Sequence, residues 1–401
     1  MTKFFRKKLK NGVIVLMEKR ELPLVSFSVT NKFGAAFEES KIKGIAHVIE
    51  HLLFTGTKNR TNEEISREIE KKGGVLNAFT SHEVTSYWFK LPSEHLFLGM
   101  DIITDMLKNP KFDGEKFEKE KKVILEEIKM YHDNPGTAVF EQIEKNLYEN
   151  PFGELIIGNK ESVSALKRDF VASYFEEVYN PMNYIISIVG NADFEEVCEY
   201  FENNFEANEK KSKIKKIIRK NLETVEEREN IDQAHFVFAV HAPLPDTDDF
   251  IAMDVLDSYL ASGMSSRLFL EIREKRGLAY AVKSSLEAEK NYSHYLIYVG
   301  TTKEALPEVK KIILKEFVKV ENMTEKDLEE AKERTIGLRK VSSEESSDVM
   351  RALIYAELLG DAKDYYRYEE KVRAVTLEQV KRLGKINGFS TAAIVPKYNK
   401  G

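Results

Sequence analysis

The sequence predicts an α+β fold built from two homologous α+β domains, each a mixed or antiparallel sheet with helices packed on one face. Three observations lead there. A chain of 401 residues exceeds what one core usually fills. Strands and amphipathic helices alternate once along the first half, and the pattern then begins again. Finally, EIREKRGLAYAV laid over EIEKKGGVLNAF puts Ile272 on Ile69 and Gly277 on Gly74, so a helix, a glycine and a strand fall in register in both halves.

The elements follow in order. GVIVLMEK and LVSFSVTNKFG alternate as strands, and a helix covers 44–54. TNEEISREIEKKGG starts at a Thr cap and stops at two glycines. VLNAFTSHEVTSYWFKL reads as two strands about a turn, and helices follow at 93–108, 113–132 and 163–179. The strand YIISIVG and the helix ADFEEVCEYFENNF close a first domain, 1–206. Residues 207–230, ANEKKSKIKKIIRKNLETVEEREN, are highly charged and poor in core residues, and read as a linker. The second domain, 231–401, opens with the strand HFVFAVHAPLP. Helices FIAMDVLDSYLASG and SSRLFLEIREKRG follow, then a strand pair LAYAVKSSLEAEKNYSHYLIYVGT, further helices and a last strand, TAAIV.

Composition excludes some partners. Lys and Arg number 61 against 67 Asp and Glu, a formal charge of −6 that offers no electrostatic footprint for nucleic acid. The single cysteine, Cys198, cannot form an internal disulfide and fits a reducing compartment. The start, MTKFFRKKLKNGVIVLMEK, is basic with a short apolar run broken by charges, neither a signal peptide nor a membrane span. A cytoplasmic location with no membrane partner is therefore expected.

The stretch GIAHVIEHLLF concentrates the chemistry. Of eight histidines, His47 and His51 stand four apart here, with Glu50 beside them. On a helix these three positions share nearly one face. The order His-x-x-Glu-His reverses the familiar His-Glu-x-x-His, and both bring a carboxylate beside two metal-binding nitrogens. The plainer alternative is a pair of histidines packed in a core or paired with neighbouring acids.

A catalytic zinc takes three protein ligands and keeps a position open, so a third ligand is required. The helix at 113–132 offers one. Its apolar stripe runs through Phe117, Ile124, Ile128 and Tyr131, and Glu120 and Glu127 fall on that stripe, while Lys119, Lys122, Glu126 and Lys129 form a wet face. A carboxylate on a buried face is costly unless paired or metal-bound, which favours Glu127 over Glu126. The second domain has no His pair near its first helix, so the motif acts once per chain. The other histidines, His82, His95, His132, His235, His241 and His294, are scattered and read as core or surface without a role.

His47, Glu50, His51 and Glu127, with 75 residues between the last two, resemble the signature of the family of pitrilysin, insulin-degrading enzyme and the mitochondrial processing peptidases, in a short two-domain bacterial-type form. The resemblance covers almost the whole chain. It implies a zinc-dependent endopeptidase with His47, His51 and Glu127 as metal ligands, Glu50 as general base and Glu120 as the acid supporting the site. LNAFTSHEVTSYW resembles the family's substrate-binding strand, with Asn77, Ala78 and Phe79 on the edge that receives an extended peptide. RLFLEIREKRGLAY resembles the segment whose Arg and Tyr, here Arg273 and Tyr280, reach a substrate bound at the zinc. Long family members close four such domains into a chamber. Two domains make half of that clamshell, which implies a second subunit: a homodimer, or a heterodimer with a related chain. The alternative within the family is a catalytically silent peptide-binding or scaffold subunit of a heterodimeric processing peptidase.

Overall fold

A computed structural model describes residues 3–206 and 213–397. They divide into two compact units, neither continuous in sequence. The first is Met1–Lys129, Glu154–Lys216 and Ser342–Tyr365; the second is Met130–Gly153, Ile217–Val341 and Tyr366–Gly401. The unbroken spans 1–206 and 231–401 expected from the sequence thus differ from the compact units by one exchanged segment in each direction.

The first unit contains strands β1 (Lys3–Lys8), β2 (Ile14–Lys19), β3 (Leu24–Asn31), β4 (Val75–Thr80), β5 (Thr85–Pro92) and β6 (Tyr184–Gly190). The second contains β7 (Glu223–Arg228), β8 (Ala234–His241), β9 (Ala279–Glu289), β10 (Tyr292–Thr301) and β11 (Ser390–Pro396). The sheet orders are β1-β2-β6-β3-β5-β4 and β7-β11-β8-β10-β9. β2 runs parallel to β6 and β7 parallel to β11, and the other neighbours are antiparallel. With β1 set aside, the two orders follow one pattern, and the duplicated, mixed-sheet α+β fold expected from the sequence is what forms.

That pattern corrects the linker. Residues 207–212 lie outside the described residues, but Glu223–Arg228 is a strand, the counterpart of β2. β2 is covered by β1 and is apolar, whereas β7 is the sheet edge and alternates exposed with half-buried residues. Its charges are locally paired: Arg228 with Glu226 at 2.6 Å, and Glu227 with Lys303 at 2.6 Å. An edge strand with one wet face carries the charge that made this stretch read as spacing.

Helices also cover both faces of the first sheet, not one. Leu16, Ile185 and Val189 point away from the main core and pack against Val349, Met350, Leu353 and Ile354 of the helix Ser346–Leu359. The uninterrupted apolar run of β6, buried along its whole length, is the sequence signature of such two-sided burial. In the second unit, helix Pro135–Leu147 packs on β8 and β11. There Asn146 donates to Thr391 O at 2.9 Å and accepts from Ser390 Oγ through its own carbonyl at 3.1 Å. This helix was not expected. Asn134 caps it, accepting from Gly136 N at 2.9 Å, and Pro135 fills its first turn. In sequence the same Asn-Pro-Gly reads as a turn.

Four helices of the first half position the site: α1 (Ile45–Leu53), α2 (Asn62–Glu70), α3 (Leu96–Lys108) and α4 (Gly114–Asp133). α2 has the expected Thr61 cap, closed reciprocally by Glu64. α1 begins at Gly44, whose φ of 93° is left-handed, and a Cβ there would lie 2.6 Å from Ile157 O. Gly44 has no side chain to cap the helix, so a distant acid does it: Glu38 accepts from Gly44 N at 2.9 Å and from Ala46 N at 2.8 Å. Glu38 is fully buried, 3.8 Å from the equally buried ammonium of Lys43, which donates to Ala35 O at 2.8 Å. Burial pushes the Glu38 carboxyl up to about 7, against the pull of Lys43 and the two N–H donors. No helix among the described residues is long and apolar enough to cross a membrane.

Replacing Glu38 by Ala uncaps α1 and leaves a buried ammonium without its acid, and is expected to cost about 3–5 kcal/mol in chemical denaturation of the metal-free protein. Adding Lys43→Met should recover much of that loss. A single variant as stable as the parent would remove Glu38 from this role.

Candidate metal centre and active site

The apolar residues of α1 decide where its polar ones point. Ile45, Val48, Ile49, Leu52 and Leu53 are buried in the first unit's core, which leaves His47, Glu50 and His51 on the remaining arc. In α4, buried Phe117 and Ile124 fix the rotation, and Glu120 and Glu127, each three positions further on, turn to the same side. Glu126 lies on the wet face, paired with Lys129 at 2.5 Å. Helical periodicity thus separates the two adjacent glutamates as the sequence predicts.

The two helices bring the donors together. Glu127 Oε2 lies 3.8 Å from His47 Nε2 and 3.6 Å from His51 Nε2. One ligand atom from each of the three residues lies within 4.8 Å of the others, the only such group of His, Cys, Asp or Glu among the described residues. Tetrahedral zinc, with bonds of about 2.0–2.2 Å, holds its ligand atoms roughly 3.4 Å apart. The two distances from Glu127 exceed that spacing by a few tenths of an ångström, and the nitrogen and carboxylate donors suit zinc.

The neighbours hold these groups in place. His51 Nδ1 lies 3.3 Å from Glu120 Oε2, an acid behind the ring that directs Nε2 toward Glu127. His47 is buried, packed edge-on against His51 at 4.6 Å between ring centroids, and its Nδ1 has no hydrogen-bond partner among the described residues. In the metal-free cluster the imidazoles move apart in basicity. Burial, and then the charge of His51, lowers the pKa of His47. Burial also opposes a charge on His51, but hydrogen bonds to Glu120 and Glu127 outweigh it and raise that pKa.

Glu50 belongs to the same cluster. Burial raises its pKa, against a hydrogen bond that Thr80 Oγ1 donates to its Oε2 at 2.5 Å. Thr80 ends β4, so this bond ties the base to the strand carrying Asn77, Ala78 and Phe79. Among the described residues β4 is the sheet edge and pairs only with β5. Glu50, His51, Phe54, Leu76, Asn77 and Glu120 line a cavity of about 570 Å³ beside that edge. Sequence reasoning missed Thr80, because nothing local links it to a helix thirty residues earlier.

Arg273 and Tyr280 belong to the second unit and are not members of this cluster. Arg273 sits in a π-helical turn, Phe269–Glu274, where an ordinary helix was expected. Its guanidinium stacks on Phe269 at 4.9 Å and approaches Glu274 at 4.0 Å. Neighbouring Lys275 and Arg276 are instead taken up by Glu271, at 2.5 and 2.6 Å. Tyr280 lies on the edge strand β9, 46% exposed.

The chain is similar to known proteins over most of its length. Residues 13–160 match the family model described as Insulinase (Peptidase family M16), and residues 165–335 match the one described as Peptidase M16 inactive domain. The "Uncharacterized zinc protease YmxG" of Bacillus subtilis is 31% identical over 97% of this chain and 98% of its own. An uncharacterized zinc protease of Mycobacterium leprae is 30% identical over 98% of this chain and 92% of its own. A protease from Helicobacter pylori shares the fold, with a TM-score of 0.91 at 22% identity over 99% of this chain and 100% of that one.

Metal uptake must displace the proton that His51 holds above the ordinary imidazole range. Below that raised pKa, zinc affinity is expected to fall by about tenfold per pH unit, and above it to level off. Competition against a chromophoric chelator across the neutral range measures the slope, and a pH-independent affinity would contradict the assigned ligand.

Proposed function

The chain belongs to the insulinase family of peptidases, M16, and from that premise we propose that it is a zinc-dependent endopeptidase cleaving peptides or unfolded segments held in extended form. The observation carrying this reading is the convergence of His47, His51 and Glu127, with Glu50 and His51 lining one cavity beside β4. Bound there by the two imidazoles and the carboxylate, zinc supplies Lewis acidity to a carbonyl and lowers the pKa of water.

The chain's own residues do the rest. Glu50 accepts from the Thr80 hydroxyl at Oε2, and its carboxylate is the group to take a proton from water and pass it to the leaving amine. Its pKa, raised by burial, moves toward neutrality, which suits a group that must both accept and give. Glu120 orients His51. A peptide added along β4 as a further strand gains affinity from main-chain hydrogen bonds, with Asn77, Ala78 and Phe79 beside it. Arg273 and Tyr280 carry exposed polar ends able to stabilise the oxygen that gains charge as the carbonyl becomes tetrahedral; one well-placed donor lowers such a barrier by about 3 kcal/mol.

The active reading is preferred over a silent peptide-binding subunit because the base is present and oriented. We further propose a cytoplasmic homodimer in which each site takes its zinc ligands from one chain and Arg273 and Tyr280 from the other. The part matching the inactive-domain model carries no second group of metal donors among the described residues, which is in keeping with one metal per chain.

Glu50→Gln should keep zinc and lose turnover of a quenched peptide by about 10²-fold or more; full activity in that variant would refute the assigned base. Mixing His47→Ala with Tyr280→Phe protein should restore part of the activity through subunit exchange. No recovery despite exchange seen by mass would rule out the shared site.

A further inference from the structure

The second unit's sheet carries a polar chain leading to Tyr280. Along β10 and β9, Gly300 pairs with Ala281 but Thr301 pairs with Ala279, so Tyr280 is the extra residue of a β-bulge on the edge strand. Bulges at sheet edges re-aim the side chain they carry. Here the ring is laid over Gly300, where a Cβ would come 2.2 Å from Tyr280 Cζ. No residue but glycine leaves room for it.

In that position the Tyr280 hydroxyl lies 3.2 Å from the Tyr298 hydroxyl, which lies 2.8 Å from His235 Nδ1. The register accounts for the alignment. His235 of β8 is directly opposite Gly300 of β10, and Tyr298 stands two residues before Gly300, so all three share one face of the sheet. Phe140 stacks on Tyr298 with ring centroids 5.6 Å apart and holds its ring flat. Tyr280 is exposed at one end of the chain, while Tyr298 and His235 are half-buried.

We propose that Tyr298 and His235 are positioning residues for Tyr280, forming a relay in which His235 Nδ1–H donates to the Tyr298 oxygen and the Tyr298 O–H donates to the Tyr280 oxygen. This rests on the reading that Tyr280 donates to the substrate. A phenol has one hydrogen. If Tyr280 gave it to Tyr298, nothing would remain for an oxyanion, so Tyr298 must be the donor of that pair. Tyr298 in turn keeps this direction when its own oxygen is occupied by a donor, which His235 supplies as its Nδ1–H tautomer. Burial lowers the pKa of His235 and raises that of Tyr298, so both links stay uncharged. Each link also polarises the next and strengthens the terminal O–H as a donor.

The test uses the zinc-loaded full chain and a quenched peptide. Tyr298→Phe is expected to lower kcat about 10- to 100-fold with KM nearly unchanged, and Tyr280→Phe/Tyr298→Phe to be no slower than Tyr280→Phe alone. His235→Asn, which keeps a donor near the Nδ1 position, should retain more activity than His235→Leu. A slow Tyr280→Phe beside a full-speed Tyr298→Phe, or a double variant slowed by the product of the single effects, overturns the relay while leaving Tyr280 on the substrate. A full-speed Tyr280→Phe overturns that substrate role and the relay with it. A readout independent of turnover is the ring ¹⁵N spectrum of His235: the Nδ1–H tautomer in the parent, lost in Tyr298→Phe, is expected, and an Nε2–H tautomer in the parent overturns the relay whatever the activity.

Discussion

The anchoring of one short helix constrains everything at the site. α1 is nine residues long, and Glu38 holds its N-terminus through two main-chain bonds while the aliphatic residues on most of its circumference are buried. A helix pinned at its end and packed on most sides cannot rotate, so the bearing of His47, Glu50 and His51 is set by core packing before any metal arrives. α4 obeys the same logic from the other side, with Phe117 and Ile124 setting the bearing of Glu120 and Glu127. Pre-orientation of this kind is what a ligand set needs when its geometry must hold to about half an ångström.

Duplication has produced two edges with different equipment. From the match of Gly74 with Gly277, Asn77 on β4 corresponds to Tyr280 on β9, and both strands end their sheets. The first helices differ more sharply. Where α1 turns its polar residues to a cavity, the counterpart Phe250–Leu260 carries half-buried Asp254 and Asp257, each accepting from a tyrosine hydroxyl: Tyr368 at 2.7 Å and Tyr295 at 2.6 Å. Acids already occupied by phenol hydroxyls are committed to the fold, so the open chemistry of the second copy falls on its edge strand.

What was legible in the sequence was what local periodicity encodes. The pattern of three and four residues placed His47, Glu50 and His51 on one face, and the apolar stripe of α4 separated Glu127 from Glu126 without any tertiary information. The groups that escaped depend on long-range contacts: Thr80 reaches Glu50 from another element, Glu38 caps a helix across a loop, and His235 matters only because Gly300 stands opposite it. The linker reading of β7 failed for a related reason, since an edge strand with paired charges differs from a solvated spacer only in what lies beside it. The exchange of segments between the two units leaves one trace along the chain, the unbroken apolar run of β6, which needs cover on both faces.

Without a cation the cluster is internally opposed. Two imidazoles stand 4.6 Å apart, one losing basicity and the other gaining it, beside three carboxylates of which one, Glu50, is pushed toward its neutral form. A core optimised for stability alone would replace such residues with apolar ones of equal volume, often at no loss. The surrounding helices and sheet edge satisfy local rules more closely, with capped helix ends and paired edge charges. Opposed groups gathered on two facing helices are the pattern expected of a site shaped for something it must bind. A divalent cation held by His47, His51 and Glu127 would relieve these oppositions together: it would take the place of the proton on His51, give the two rings a shared bond partner and compensate the charge of Glu127.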